Sequence, residues 1–346
     1  MAGENIRIKS GLLKEVGALI REKRNPGKVA LISDDNVMSL YGMDVLVSLE
    51  IAGFEALPYA LPQGESSKSL ETYAGILAFL AEHHFTRSDL VVALGGGVVG
   101  DMAGFAAATF LRGIDVVQVP TTLLAEVDSS IGGKTGLDLP QGKNLVGAFH
   151  QPLLVLIDPA VVKDLPQEVY RDGVAEIIKY GCVGSKALFN TIRDTDVRDC
   201  VNYVINICAN MKAQLAEADE FDRGDRRKLN FGHTFGHAIE TLSGWAISHG
   251  EGVAIGMMMV TRAAVKRKYC QPELLEALQA MLERYGLPTE CPYTAEKVAE
   301  QALSDKKLVS GTLTLVVPEI LGRTRFIPVQ PEDLTDWAAD GGAPRE

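Results

Sequence analysis

Three of the six histidines fall in one short region, His233 and His237 in Leu229-Asn-Phe-Gly-His-Thr-Phe-Gly-His-Ala-Ile-Glu240 and His249 in His249-Gly-Glu251. Imidazole together with carboxylate is a common ligand set for a catalytic zinc ion. Spacing alone pairs His233 with His237, which sit four residues apart and so share a helix face. Two core histidines bonded to backbone carbonyls would give the same pattern, and the nearby His249 and a carboxylate favour the metal. In Gly173-Val-Ala-Glu-Ile-Ile-Lys-Tyr-Gly181, Glu176 and Lys179 lie three residues apart on one face. On a solvated face such an ion pair is worth little. Here the flanking residues are apolar, and a buried Glu and Lys need a metal, a partner or a ligand to offset desolvation. Lys212 raises the same question within the apolar stretch Cys208–Leu215, less sharply because a lysine stem can run along apolar surface to water.

Two glycine loops suggest phosphate chemistry. Leu90-Val-Val-Ala-Leu94 leads into Gly95-Gly-Gly-Val-Val-Gly-Asp101, so Gly95, Gly97 and Gly100 have the G-x-G-x-x-G spacing between a strand and a helix. Backbone amides there can approach a pyrophosphate, whose charge is favoured at a helix N-terminus. A tight strand-to-helix turn without a ligand is the plainer alternative. The loop follows the third candidate strand rather than the first, and no strand-end acid stands about 20 residues further on. It therefore indicates a nucleotide phosphate more safely than an ordinary dinucleotide dehydrogenase. The second loop, Ser129-Ser-Ile-Gly-Gly-Lys-Thr-Gly136, contains a Gly-Lys-Thr triplet but has Asp128 where a phosphate-binding P-loop needs glycine. It reads as a flexible loop holding Lys134 near Lys143 and Asn144, as if to embrace an anion.

The elements that must position these residues fall into two regions. Runs at Val29–Ser33, Leu90–Leu94, Val116–Val119 and Leu153–Ile157 are short, rich in Val, Leu and Ile and bounded by turn residues, as in strands buried on both faces. Helical patterns at Ser69–His84 and Asp101–Leu111 alternate with them, which implies a parallel sheet in an α/β domain. Beyond Asp158-Pro159 the pattern becomes helical. Val201, Val204, Cys208, Met211 and Leu215 recur on one helix face, Gly252–Lys268 and Pro272–Tyr285 read as helices, and strand signals nearly vanish until Leu313–Val317. The expected organisation is an α/β domain over 1–160 and an all-α domain over 161–346.

With 346 residues the chain can bury a substantial core. Its net charge of −11 argues against general nucleic-acid binding, which needs a basic face. The five cysteines form no C-x-x-C pair, as expected of free thiols in a reducing cytoplasm. The N-terminal residues lack the apolar core of a signal peptide, and no apolar run has the length of a membrane span.

These blocks together resemble the dehydroquinate synthase family of sugar phosphate cyclases. The resemblance is carried by GGGVVGD at Gly95–Asp101, Arg112-Gly113, PTTLL at Pro120–Leu124, VDSSIGGKTG at Val127–Gly136 and Lys143-Asn144. It continues through AEIIK at Ala175–Lys179, LNFGHTFGHAIE at Leu229–Glu240, HGE at His249–Glu251 and DKK at Asp305–Lys307, all in family order. It implies an N-terminal NAD-binding α/β domain, a C-terminal all-α metal- and substrate-binding domain, and an active site in the cleft between them. Glu176, His233 and His249 would hold a divalent metal, Zn or Co, leaving His237 as a catalytic or substrate-contacting residue. Asp34, Asn36, Glu65, Lys68, Gly96, Gly97, Val98, Asp101, Thr121 and Thr122 would contact NAD. Arg112, Asp128, Lys143, Lys212, Asn230 and Lys307 would bind substrate, with Lys134, Asn144, Lys179, Arg226 and His237 in catalytic roles.

The implied reaction converts 3-deoxy-D-arabino-heptulosonate 7-phosphate to 3-dehydroquinate and phosphate through transient oxidation by NAD, β-elimination, re-reduction, ring opening and an aldol closure. A cytoplasmic homodimer is the corresponding expectation. Sibling cyclases making 2-deoxy-scyllo-inosose, an epi-valiolone or amino-dehydroquinate are the near alternatives, and a glycerol-dehydrogenase-like oxidoreductase is a more distant one. Two departures from the family pattern are Asp164 before Leu165-Pro166, where Thr is usual and often contacts the nucleotide, and Asp138, where Asn is common.

Overall fold

The computed structural model describes residues 5–140, 142–305 and 312–345. Residues 1–165 with 201–221 form one compact unit, and 166–200 with 222–346 form another.

The first unit is built on six parallel strands, β1 (Ile6–Ile8), β2 (Lys28–Asp34), β3 (Glu55–Leu61), β4 (Leu90–Gly95), β5 (Asp115–Pro120) and β8 (Leu154–Ile157), in the order β1-β8-β5-β4-β2-β3. Side chains alternate faces along a strand, and the sequence uses both sets. Val29, Leu31, Leu90, Val92, Leu94, Val117 and Val119 join one core cluster with Leu12, Val16, Val45 and Leu49. Ala30, Ile32, Val91, Ala93 and Val116 join another with Ile76, Leu80 and the helix Gly97–Thr109. Burial on both faces explains why these strands read as continuous apolar runs rather than alternating ones. The glycine loop follows the fourth strand, and neither the three-residue β1 nor the half-exposed, Pro58-containing β3 before it gives an apolar run to read.

Chain order along the sheet reverses between the neighbours β2 and β4. The carboxyl ends of such a strand pair flank a crevice open to ligands. Asp34 ends β2 and Gly95 ends β4, so an acid does stand at a strand end beside the glycine loop, but upstream of it in the chain.

The region around Lys134 is an antiparallel hairpin, β6 (Lys134–Leu139) with β7 (Gly142–Phe149), rather than a flexible loop. It is fastened because Leu137 is fully buried in the second cluster and Thr135 lies against Gly104 of the helix Gly97–Thr109. The helix Val201–Ala218, expected in the second domain, groups with the first unit. It packs against the helical turn Ala125–Ser129, and a period-3.6 pattern shows which face is apolar without showing what covers it.

The second unit contains helices Gln167–Gly184, Lys186–Asp194, His233–Leu242, His249–Lys266, Pro272–Arg284, Ala295–Asp305 and Leu334–Asp340. It also holds a two-stranded antiparallel ribbon, β9 (Leu313–Ile320) and β10 (Arg323–Val329), so it is helical but not purely so. Helices His233–Leu242 and His249–Lys266 approach closely through glycine. A Cβ on Gly256 would overlap the Gly232 carbonyl oxygen, and one on Gly236 would sit 2.9 Å from the Gly252 oxygen.

Candidate functional site

In the second unit, Glu176 comes from the middle of Gln167–Gly184, His233 from the first turn of its helix and His249 from the first turn of the next. Gly232, with φ +81°, makes the entry to the His233 helix. A side chain there would also collide with Met257 and the Val253 oxygen. His249 is fixed by a capping box in which Ser248 Oγ accepts the Glu251 amide N–H and Glu251 Oε2 accepts the Ser248 amide N–H. Asp172 Oδ1 ties this helix start down, accepting from Ser248 Oγ at 2.5 Å and from the Gly250 amide at 2.9 Å.

Glu176, His233 and His249 each present a ligand atom within 4.8 Å of the others. The Nε2 atoms of His233 and His249 lie 3.5 and 3.2 Å from Glu176 Oε1. The far nitrogens are both occupied, His233 Nδ1 by the Phe231 carbonyl at 3.1 Å and His249 Nδ1 by Glu240 Oε1 at 3.1 Å. A proton held at Nδ1 leaves the Nε2 lone pair for a metal. Burial, followed by the positive charge of Lys179 and the neighbouring imidazoles, holds His233 well below the ordinary histidine range, in the neutral form a ligand needs. For His249, burial works against charge, but the carboxylates of Glu240 and Glu176 outweigh it and push the ring up to about 10.

Glu176 is completely buried. Its Oε2 pairs ionically with Lys179 but has no aligned hydrogen-bond donor. A buried carboxylate facing two imidazole Nε2 atoms is a donor set suited to a divalent cation, which would displace the His249 Nε2 proton, and zinc and cobalt fit it alike. His237, the spacing partner of His233, is 5.2 Å from it between ring centroids and falls in a second group with Glu240 and His249. Arg226 is fully buried and Asn230 half-buried on the turn Asp225–Asn230 that precedes the His233 helix. Lys307 lies outside the described residues.

The first unit gathers a different set. Lys68, buried, pairs with Asp101 Oδ2 at 2.6 Å and donates to Asn144 Oδ1 at 2.5 Å. Lys143 pairs with Glu65 at 3.0 Å. Asn144 has φ +54° and its amide N–H donates to Asp138 Oδ1 at 2.7 Å, while the Asp138 amide donates to the Lys68 carbonyl at 2.9 Å. Asp138 thus holds the strained backbone of Asn144, a role its carboxylate fills through Oδ1. Burial raises the Asp101 carboxyl, with Lys68 opposing the shift.

Gly96, Gly97 and Val98 form the start of the helix Gly97–Thr109, and a Cβ on Gly96 would meet Thr122 Cγ2 at 3.0 Å. Thr121 follows β5, buried, with its hydroxyl unpartnered. Asp34 caps the next turn by accepting the Val37 amide at 2.8 Å, and Asn36 is exposed beside it. Asp128 and Lys212 form a buried ion pair. Lys134 is exposed at the start of β6, and Arg112 is exposed with φ +69°.

Two functional contributors escaped the sequence reading. Glu240 stands seven residues after His233, close to two helical turns and so on the same face, which was a usable signal. Asp172 gave none, because its partner Ser248 lies 76 residues away.

Residues 58–172 match the family model described as 3-dehydroquinate synthase N-terminal, and residues 173–308 match 3-dehydroquinate synthase C-terminal. The 3-dehydroquinate synthase of Streptococcus suis (strain 05ZYH33) is 42% identical over 340 residues, covering 96% of each chain. Among solved structures, 2-epi-5-epi-valiolone synthase from Streptomyces hygroscopicus subsp. jinggangensis 5008, with NAD+ and Zn2+ bound, superposes with a TM-score of 0.89 at 24% identity, covering 99% of this chain and 97% of that one. A 2-deoxy-scyllo-inosose synthase complexed with carbaglucose-6-phosphate, NAD+ and Co2+ gives 0.87 at 23% identity, covering 97% and 96%. Both halves are matched, and a relative is similar across almost the entire length, so the chain belongs to the 3-dehydroquinate synthase family.

Proposed function

We propose that the protein converts 3-deoxy-D-arabino-heptulosonate 7-phosphate to 3-dehydroquinate and phosphate, as a carbon–oxygen lyase using catalytic NAD and a divalent metal, Zn or Co. The observation carrying this reading is the pair of imidazole Nε2 atoms, each backed at Nδ1, that face one oxygen of the buried Glu176. The NAD+ with Zn2+ or Co2+ bound to the two solved cyclases supports the same cofactors here. When bound, NAD supplies reversible hydride transfer at the substrate C5, and the metal supplies Lewis acidity toward its hydroxyl and carbonyl oxygens.

The chain's own residues supply binding and orientation. Glu176, His233 and His249 would hold the metal. Gly96, Gly97 and Val98 would present backbone amides to the nucleotide phosphates at a helix N-terminus. Asp34, Asn36, Glu65, Lys68, Asp101, Thr121 and Thr122 would complete that site. Arg112, Lys134, Lys143, Lys179, Lys212 and Arg226 would meet the substrate's carboxylate and phosphate with positive charge, guanidinium in bidentate fashion. Asp128 and Asn230 would orient substrate hydroxyls, and His237 and Asn144 would orient groups near the departing phosphate. Lys307 belongs to the same substrate set through the family motif.

The 42% identity to a 3-dehydroquinate synthase, against 23 and 24% to the sibling cyclases, favours this substrate over theirs. A homodimer is part of the proposal. It is supported by the exposed apolar stripe of Met43, Val47 and Ile51, spaced four residues apart on one helix. Among the described residues no helix is long and apolar enough to cross a membrane. Five free cysteines support a cytoplasmic location.

The test is phosphate release from 3-deoxy-D-arabino-heptulosonate 7-phosphate by purified protein with catalytic NAD, with and without a chelator. Release that needs metal, leaves no net NADH and yields 3-dehydroquinate is expected. Net NADH accumulation would point to a dehydrogenase, and absence of release with NAD and metal restored would overturn the substrate.

A further inference from the structure

We propose that Glu240 is a positioning residue for His249, a carboxylate that holds the proton on Nδ1 and thereby fixes the orientation and donor strength of Nε2. The inference rests on the metal reading of Glu176, His233 and His249, and deepens it.

Glu240 is 1% exposed, so its carboxylate sits where an unpaired charge is costly. It meets that cost at His249, with Oε1 3.1 Å from Nδ1, while Nε2 of the same ring lies 3.2 Å from Glu176 Oε1. The imidazole is therefore held between two carboxylates, one at each nitrogen. A neutral ring has one N–H and one lone pair. With the Nδ1 proton directed to Glu240, Nε2 faces the cluster formed by Glu176 and His233, where a metal would take the place of the ring's other proton.

The surrounding packing is built around this contact. A Cβ at Gly252 would come within 2.8 Å of Glu240 Cγ and 3.3 Å of Oε1, so the glycine leaves room for the carboxylate. The same helix face presents His233 to one side of His249, at 5.5 Å between ring centroids, and Glu240 to the other. His233 has a neutral carbonyl at Nδ1, from Phe231, where His249 has a carboxylate. The two histidines thus differ in basicity by design of their backing, with His249 the stronger donor. His237, Glu240 and His249 also form a three-residue group able to hold an ion of their own. Taking the Nδ1 lone pair for such an ion would remove the proton that Glu240 accepts, so the two arrangements exclude one another unless His249 bridges two ions.

The experiment compares the full-length protein with Glu240→Gln, Glu240→Ala and Glu176→Gln, after confirming folding by circular dichroism. Zn2+ affinity and stoichiometry are measured by competition with a chromophoric chelator, and the visible spectrum of the Co2+ form is recorded. One ion per chain is expected. Affinity should fall about 10–100-fold in Glu240→Ala and less in Glu240→Gln, whose amide oxygen still accepts from Nδ1. The Co2+ spectrum should shift in both. Unchanged affinity and spectrum in both Glu240 variants would overturn the positioning role while leaving the metal site intact. Two ions in the unaltered protein, with one lost in Glu240→Ala, would make Glu240 a ligand instead. Failure of the unaltered protein to bind Zn2+, or full binding by Glu176→Gln, would overturn the metal reading itself.

Discussion

Lys212 and Asp128 form a buried ion pair across 84 residues of chain. The contact joins the helix Val201–Ala218 to the turn Ala125–Ser129 of the α/β unit. It also gives Lys212, which the sequence sets in apolar company and the family resemblance places in the substrate set, a defined partner.

Lys212→Ala leaves Asp128 without that cation in a buried position. Removing one member of such a pair costs about 3–5 kcal/mol, so a clear drop in the melting temperature is expected. The double variant Lys212→Met with Asp128→Asn should recover much of the stability. Phosphate release should stay depressed in both, and activity recovering together with stability would remove Lys212 and Asp128 from the proposed substrate site.

Glu126 gives a pH prediction. It is fully buried and neither carboxyl oxygen has a partner. Burial, and secondarily the charge of Asp158, raises its carboxyl well above the ordinary 4.5. Below that ordinary value both folded and unfolded chains hold the proton. Above it the unfolded chain releases the proton while the folded chain retains it, so stability falls as pH rises, at about 1.4 kcal/mol per pH unit, until the folded-state pKa is passed. Glu126→Gln removes this dependence. Denaturation midpoints from about pH 5 to pH 8 should show the variant gaining on the unaltered protein as pH rises, and a constant difference would show that Glu126 ionises freely.

Gly256→Ala tests the close approach of the helices carrying His233 and His249. The added methyl would overlap the Gly232 carbonyl, which is backbone and cannot rotate aside. Overpacking of this kind typically costs about 1–3 kcal/mol, sometimes more. Because Gly232 directly precedes His233, Zn2+ affinity should fall along with thermal stability. A stability loss with unchanged affinity would mean that the ligand geometry does not depend on this crossing.

Lys68→Met probes the proposed nucleotide site. It removes the cation beside the raised Asp101 carboxyl and the donor to Asn144. NAD affinity measured by fluorescence or calorimetry should weaken by about tenfold or more, roughly 1.4 kcal/mol, while Zn2+ affinity stays unchanged. Unaltered NAD binding would remove Lys68 from the cofactor set.

The sequence by itself determined the parallel sheet, the glycine turn and the helical region, since each is a local pattern with its own period. It also placed three histidines close together, because they lie within 17 residues of one another in the chain. Spacing could not choose among them. His233 and His237 share a helix face, yet the Nε2 atoms facing Glu176 belong to His233 and His249, and that choice depends on a carboxylate 73 residues from His249. The backing of each ring by Phe231 or Glu240, the pinning of Ser248 by Asp172 and the pairing of Lys212 with Asp128 were likewise decided by tertiary structure. Each depends on where two elements meet, whereas the amphipathic pattern of either element records only which face must be covered.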